Sequence, residues 1–300
     1  MMSKEAKATI KKIVSGALFF NESMRNHTSL QVGGPAEVLV VPRDDSDLIR
    51  LITFASENSI KTTIVGAGTK LLVSDHGVEG IVIKISDCLT DLKLLGCNVE
   101  VGAGFKLAKL SQFVGKRGLS GLEFAVGIPG TIGGGVVMNA GAHGFSLSDM
   151  VTSVRAITLT GERKEFGKEK LGFGYRSSLF QGSEMIVTSA KLFLRSDSVK
   201  SISEKMSSYL KWRKENQPLD FPNAGSIFKN PPNLIAGKLI DEAGLNGYVI
   251  GDAKVSEKRG NFIINLGNAT ASDIISLIDL VKKRVYEKFK VRLECEIRSI

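Results

Sequence analysis

Three cysteines, three histidines and one tryptophan are few for a chain of 300 residues, and each scarcity excludes something. Cys88, Cys97 and Cys295 form no CxxC pair, so there is neither a zinc ribbon nor a thioredoxin-like redox motif. An odd, scattered set points to buried or free thiols in a reducing compartment. His27, His76 and His143 lie far apart and no HExxH occurs, so no metal is expected. No GxSxG elbow supports a hydrolase triad. "GAGTKL" and "GAGFKL" each lack the third glycine of GxGxxG, and GxxxxGK[ST] is missing, which disfavours Rossmann dehydrogenases and P-loop ATPases. No apolar run reaches the roughly 18–20 residues needed to span a bilayer, so no membrane insertion is expected. The basic opening has only the short apolar piece "ALFF", too little for a secretory core region. It reads as a surface helix from about Ser3 to Val14, and a cytoplasmic location is the expectation.

Glycine, by contrast, is abundant. "GIPGTIGGGVVMNAGAHG", Gly127 to Gly144, holds seven glycines in eighteen residues, with His143 its only ionisable side chain. A second glycine turn, "VGAGTKLL" (Val65 to Leu72), directly follows a strand-like stretch. Exposed amides and missing Cβ atoms in such turns suit a diphosphate; a tight connection between packed elements is the competing reading. Net charge is +9, spread along the chain, which accords with solubility or with a small phosphorylated ligand. No aromatic-and-basic RNA signature is present, so no nucleic-acid partner is expected.

Apolar periodicity predicts a helix over Asp44–Ile60, with Leu48, Ile49, Leu51, Ile52 and Ala55 on one face and Ser46 as N-cap. "KTTIVGAG", "GIVIKI" and "VEVGAG" read as strands, and "KLAKLSQFVGKRG" as a helix closed by Gly118. Beyond the glycine run, a hairpin turning at Thr160–Gly161 and the strand "EMIVTSAKLFLR" imply antiparallel pairing, so the chain is not a simple doubly wound sheet. A helix before Pro218 carries Ile202, Met206 and Tyr209 inward, and a domain boundary is placed near its start. A last helix, capped by Ser272, carries Ile274, Ile275, Leu277, Ile278, Val281 and Val285.

The segments "HTSLQVGGPA", "VGAGTKLLVSDHGVEGIVIKI", "GLEFAVGIPGTIGGGVVMNAGAHG", "FGYRSSLF", "NAGSIFKNP", "AGKLIDEAGLNGYVIGDAKVSEKRGNFIINLGNATASDI" and "LECEI" follow in that order. Together they resemble the UDP-N-acetylenolpyruvoylglucosamine reductase (UDP-N-acetylmuramate dehydrogenase) family, in its shorter type II form, from about His27 to Ile297. The resemblance implies an α+β chain with the FAD-binding fold of the vanillyl-alcohol-oxidase and p-cresol-methylhydroxylase type. That fold would comprise subdomains 1–85 and 86–196, followed by an α+β substrate-binding domain, 197–300, that brings the Glu296 segment back to the active site. It implies noncovalent FAD, NADPH as hydride donor, and UDP-N-acetylglucosamine enolpyruvate as a small-molecule substrate in peptidoglycan precursor synthesis. A monomer is the expectation.

The resemblance assigns FAD contacts to Gly66, Ala67, Gly68, Thr69, Lys70 and Leu71 of the first glycine turn, and to Gly130, Thr131, Gly134 and Asn139 of the second. It makes Arg176 the carboxylate anchor, Ser226 the proton donor and Glu296 a second acid or hydrogen-bond partner, with Glu294 as the competing assignment. On an alternating strand Glu294 and Glu296 would share one face; a donating Glu296 would be buried and protonated. Lys229 and Asn230 resemble diphosphate or sugar contacts, with Tyr248 and Lys214 as further substrate candidates. Thr69–Lys70 stands where Ser-Asn is frequent, Arg259 where histidine is usual and Cys295 where proline is common. Two rivals stay open: another FAD oxidoreductase of the same fold, and a non-catalytic nucleotide-binding protein.

Overall fold

The computed structural model describes residues 2–300. The chain divides into two compact units, each around its own apolar core. The first comprises the segment ending at Asn21, Glu37–Ala67 and Glu79–Lys211; the second comprises Glu22–Ala36, Gly68–Val78 and Trp212–Ile300.

In the first unit, helix α1 (Lys4–Ile13) starts at Ser3, whose hydroxyl accepts from the Ala6 amide. Helix α2 (Asp45–Glu57) buries Leu48, Leu51, Ile52 and Ala55, the face set by its periodicity. Its N-cap is Asp44, not Ser46. Asp44 is extended and its carboxylate reaches the Asp47 amide, whereas Ser46 already lies inside the helix. A four-stranded sheet runs in the order Ala17–Ser23, Pro35–Val41, Val78–Lys84, Thr62–Val65, with the last two strands parallel. A five-stranded sheet follows, antiparallel throughout, in the order Arg163–Gly167, Val151–Thr158, Met185–Phe193, Asn98–Gly102, Leu92–Leu95. Its hairpin turns at Gly161, which has φ +88°, as the sequence implied. Helix α3 (Leu107–Gly115) buries Leu107, Leu110 and Val114. Helix α4 (Ile132–Val137) lies within the glycine run. Helix α5 (Val199–Asn216) buries Ile202 and brings Met206 so near α3 that a Cβ on Gly115 would sit 2.7 Å from its Cε.

The second unit has an antiparallel sheet in the order Asn223–Ser226, Phe262–Asn265, Ala253–Val255, Val249–Ile250. Helices α6 (Ala236–Glu242) and α7 (Ala271–Phe289) bury Leu239, Ile240, Ile274, Leu277, Ile278, Val281 and Val285, while Ile275 is exposed. Burying each such side chain contributes about 1.5–3 kcal/mol. Thr270, in a capping box with Asp273, starts α7 instead of Ser272. Ser272 is instead held by Asp75, whose carboxylate accepts from the Ala271 and Ser272 amides and from the Ser272 hydroxyl. A short parallel pair, Leu71–Leu72 with Arg298–Ser299, ties the first glycine turn to the chain's last residues.

Candidate active site

Two kinds of glycine occupy the long run. Gly133 and Gly135 let α4 pack, since a Cβ on them would stand 2.9 Å from the Ala103 Cβ and 2.8 Å from the Leu147 Cδ1. Gly130 and Gly134 serve differently. Gly130 has φ +132°, open to glycine almost alone; Gly134 is exposed, and a Cβ there would meet only the Thr131 Oγ1, at 3.5 Å. Thr131 caps α4 by accepting from the Gly134 amide. The Ile132 and Gly133 amides donate to the Phe105 and Ala103 carbonyls. Three amides of this first turn are therefore engaged within the protein, contrary to a loop of unclaimed phosphate donors. What the turn offers a ligand is close approach to bare backbone.

The first glycine turn meets the second at that point: a Cβ on Gly66 would lie 2.8 Å from the Thr131 Oγ1. Gly66, Thr131 and Gly134 thus form one side-chain-poor surface, the kind of cradle a dinucleotide diphosphate needs. FAD fits this part of the chain. Ala67 continues the turn, and the division between units falls after it. Gly68 has φ +66° and presses so closely on His27 that a Cβ would overlap the His27 carbonyl oxygen; its own carbonyl accepts from the Ser29 amide. Thr69, Lys70 and Leu71 are half-buried.

Asn139 and Arg176 belong to one network in the first unit. Asn139 is buried, with φ +42°. Its Nδ2 donates to the Gly174 carbonyl at 2.9 Å and its Oδ1 accepts from the Ser148 amide at 3.0 Å. Gly174 and Ser177 exchange backbone hydrogen bonds around Tyr175 and Arg176, a two-residue turn in which Arg176 has φ +54°. The half-buried Arg176 donates from Nη2 to the Gly141 carbonyl at 2.9 Å and lies over the Tyr175 ring. Next to Gly141, His143 stacks on Tyr209 at 4.0 Å, and burial lowers its pKa.

In the second unit, Ser226 ends a strand that bulges at Gly225, where φ is +71°. The Lys70 Nζ donates to the Ser226 carbonyl at 2.7 Å and pairs with the Glu296 Oε1 at 2.9 Å. Glu296 is buried and Glu294 exposed, so the two carboxylates do not share a face. Strand alternation fails because the chain changes partner as it bends here. The Glu294 carbonyl and the Glu296 amide bond to the Lys229 amide and the Ile227 carbonyl; the Arg298 amide then donates to the Lys70 carbonyl. Lys70 thus places a cation against the buried Glu296 carboxyl group.

The other substrate candidates are more dispersed. Lys229 pairs with Glu294 at 3.4 Å, and the Asn230 Oδ1 accepts from the Ala236 amide at the start of α6. Tyr248 and Lys214 are exposed, the latter near the end of α5, where its carbonyl accepts from the Lys258 Nζ. Arg259 lies over the Trp212 ring at 5.2 Å. Sequence reasoning missed the contact of Lys70 with Glu296. The only available signal was a cation in a glycine turn that otherwise carries no charge.

Residues 36–167 match the FAD binding domain family, and residues 217–300 match the C-terminal domain of UDP-N-acetylenolpyruvoylglucosamine reductase. The UDP-N-acetylenolpyruvoylglucosamine reductase of Caldanaerobacter subterraneus subsp. tengcongensis is 45% identical over 285 residues, 95% of this chain and 94% of that protein. The crystal structure of UDP-N-acetylenolpyruvylglucosamine reductase from Thermus caldophilus superposes with a TM-score of 0.81 at 36% identity, covering 95% of this chain and 98% of that one. Alkyldihydroxyacetonephosphate synthase, at 19% identity, has a TM-score of 0.51 over 65% of this chain and 41% of its own, a likeness of fold alone. The fold is the vanillyl-alcohol-oxidase type of FAD-binding fold followed by a C-terminal α+β domain, as expected. The chain belongs to the UDP-N-acetylenolpyruvoylglucosamine reductase family.

Proposed function

We infer that the protein is an FAD-dependent oxidoreductase. It reduces the enolpyruvyl ether of UDP-N-acetylglucosamine enolpyruvate to the lactyl ether of UDP-N-acetylmuramate with NADPH, a step of peptidoglycan precursor synthesis. The structural observation that supports the reading is that Lys70 of the first glycine turn contacts both the Ser226 main chain and the buried Glu296.

Bound FAD, held by Gly66–Leu71 with Gly130, Thr131, Gly134 and Asn139, would supply hydride-transfer chemistry between NADPH and the methylene carbon of the enolpyruvyl group. The side chains handle the charge and the proton. Negative charge builds on the neighbouring carbon and spreads into the substrate carboxylate. Arg176 offers a planar, permanently charged fork to that carboxylate, and a partner held in place needs no reorganisation as charge grows. Ser226 gives its hydroxyl proton to the carbon, completing the lactyl group; so weak an acid suits only a strongly basic centre. Glu296 serves as a second acid or hydrogen-bond partner at the developing enolate. Lys229 and Asn230, with Tyr248 and Lys214 further out, serve the sugar nucleotide.

The main chain of Gly66–Leu71, with Gly130, Thr131, Gly134 and Asn139, holds FAD noncovalently. Residues 1–85 and 86–196 act as FAD-binding subdomains and 197–300 as the substrate domain. The enzyme works in the cytoplasm, where its nucleotide substrates are, as a monomer in which each chain carries Arg176, Ser226 and Glu296. Anaerobic spectra test the function: NADPH should bleach the bound flavin, and the enolpyruvyl ether should restore its colour. Recovery with other acceptors alone would overturn the reading.

A further inference from the structure

The flavin turn contains a cation whose contacts lie elsewhere. The Lys70 ammonium is 2.7 Å from the Ser226 carbonyl oxygen and 2.9 Å from the Glu296 Oε1. Its own carbonyl accepts from the Arg298 amide at 2.8 Å, so the residue is fixed at both ends. Gly225 makes room for it: a Cβ there would already lie 3.4 Å from Nζ. The lysine side chain is 28% exposed and the glutamate 8%, so the pair is largely removed from water, where breaking an ion pair is costly.

We propose that Lys70 is a positioning residue of the substrate half-reaction, its ammonium tying the Ser226 main chain and the Glu296 carboxylate into one rigid set. This rests on the reading of Ser226 as proton donor. Two consequences follow from the geometry. Ser226 follows a left-handed glycine, a place where the strand end would swing unless held, and Lys70 holds its carbonyl. At Glu296, the Lys70 ammonium sets a positive charge against the Oε1 and fixes the orientation of the carboxyl group toward the substrate. Thr69–Lys70, a departure from the frequent Ser-Asn, thus acts through its side chain on the proton-delivery residues and not on the cofactor.

The test separates the two half-reactions in Lys70→Met, Lys70→Arg, Glu296→Gln and the Lys70→Met/Glu296→Gln double variant. Flavin affinity is read by fluorescence titration, and NADPH reduction and reoxidation by UDP-N-acetylglucosamine enolpyruvate by anaerobic stopped flow. In Lys70→Met, reoxidation should slow by about tenfold or more beyond any change in NADPH reduction, with flavin bound through the main chain of the turn. Lys70→Arg should recover most of the loss, and the double variant should lose less than the product of the two single losses, since the two changes share the Lys70–Glu296 contact. Weakened flavin binding, equal slowing of both halves, no rescue by arginine, or effects that multiply in the double variant would each overturn the proposal. If Lys70→Met does not keep the wild-type circular dichroism, Lys70→Asn is scored by the same criteria. Wild-type enzyme that the enolpyruvyl ether fails to reoxidise would overturn the function itself, a result distinct from any of these.

Discussion

Asn139 donates to the Gly174 carbonyl and so ties the end of the glycine run to the turn that carries Arg176. The same side chain accepts from the Ser148 amide, so one amide group joins three segments of the first unit. Asn139→Ala removes both bonds to the half-buried Gly174 and Ser148 backbone groups, a loss of about 0.5–1.5 kcal/mol for each bond. A lower urea midpoint and a raised KM for the enolpyruvyl substrate are expected, the latter because the Arg176 turn loosens. An unchanged KM would mean that this tether does not position Arg176.

Gly134→Ala distinguishes a bare surface kept for cofactor from one kept for folding. The added Cβ makes only an ordinary 3.5 Å contact with Thr131, and alanine stabilises a helix by about 0.5–1 kcal/mol over glycine. The variant should be at least as stable as wild type without FAD, yet bind FAD about tenfold or more weakly by fluorescence titration. Unaltered affinity would remove Gly134 from the cofactor surface.

Asp47 predicts the acid limit of the first unit. Burial alone would raise its pKa, but bonds from the Arg43, Ser15 and Gly16 amides and from Arg50 outweigh it, and the pKa is lowered. The stabilisation is present above the unfolded value of about 4 and is lost as pH falls through the depressed folded value. Asp47→Asn should lower the urea midpoint at pH 7 and flatten its decline below about pH 4. Parallel curves for the two proteins would contradict this.

Much of this was legible in the sequence, and the exceptions have physical causes. The buried faces of α2 and α7 follow from a 3.6-residue apolar period, and the hairpin from Gly161. The N-caps did not: with Asp44, Ser46, Thr270 and Ser272 all competent, the choice depends on which residue is extended. Side-chain alternation misjudged residues 293–297 because the chain bends and changes hydrogen-bond partners there. The role of Lys70 was hidden for a stronger reason. Its contacts lie in distant segments, brought near it by the pairing of Leu71–Leu72 with Arg298–Ser299 and of Ile227–Lys229 with Glu294–Glu296, and no local pattern encodes those registers.

Ser226→Ala, followed through both half-reactions by flavin absorbance, tests the central claim most directly. Flavin reduction by NADPH should proceed at nearly the wild-type rate, while reoxidation by the enolpyruvyl substrate slows by about 10²–10⁴-fold, the typical loss for a positioned acid. Equal slowing of both halves, or undiminished reoxidation, would contradict the assignment of the proton to Ser226.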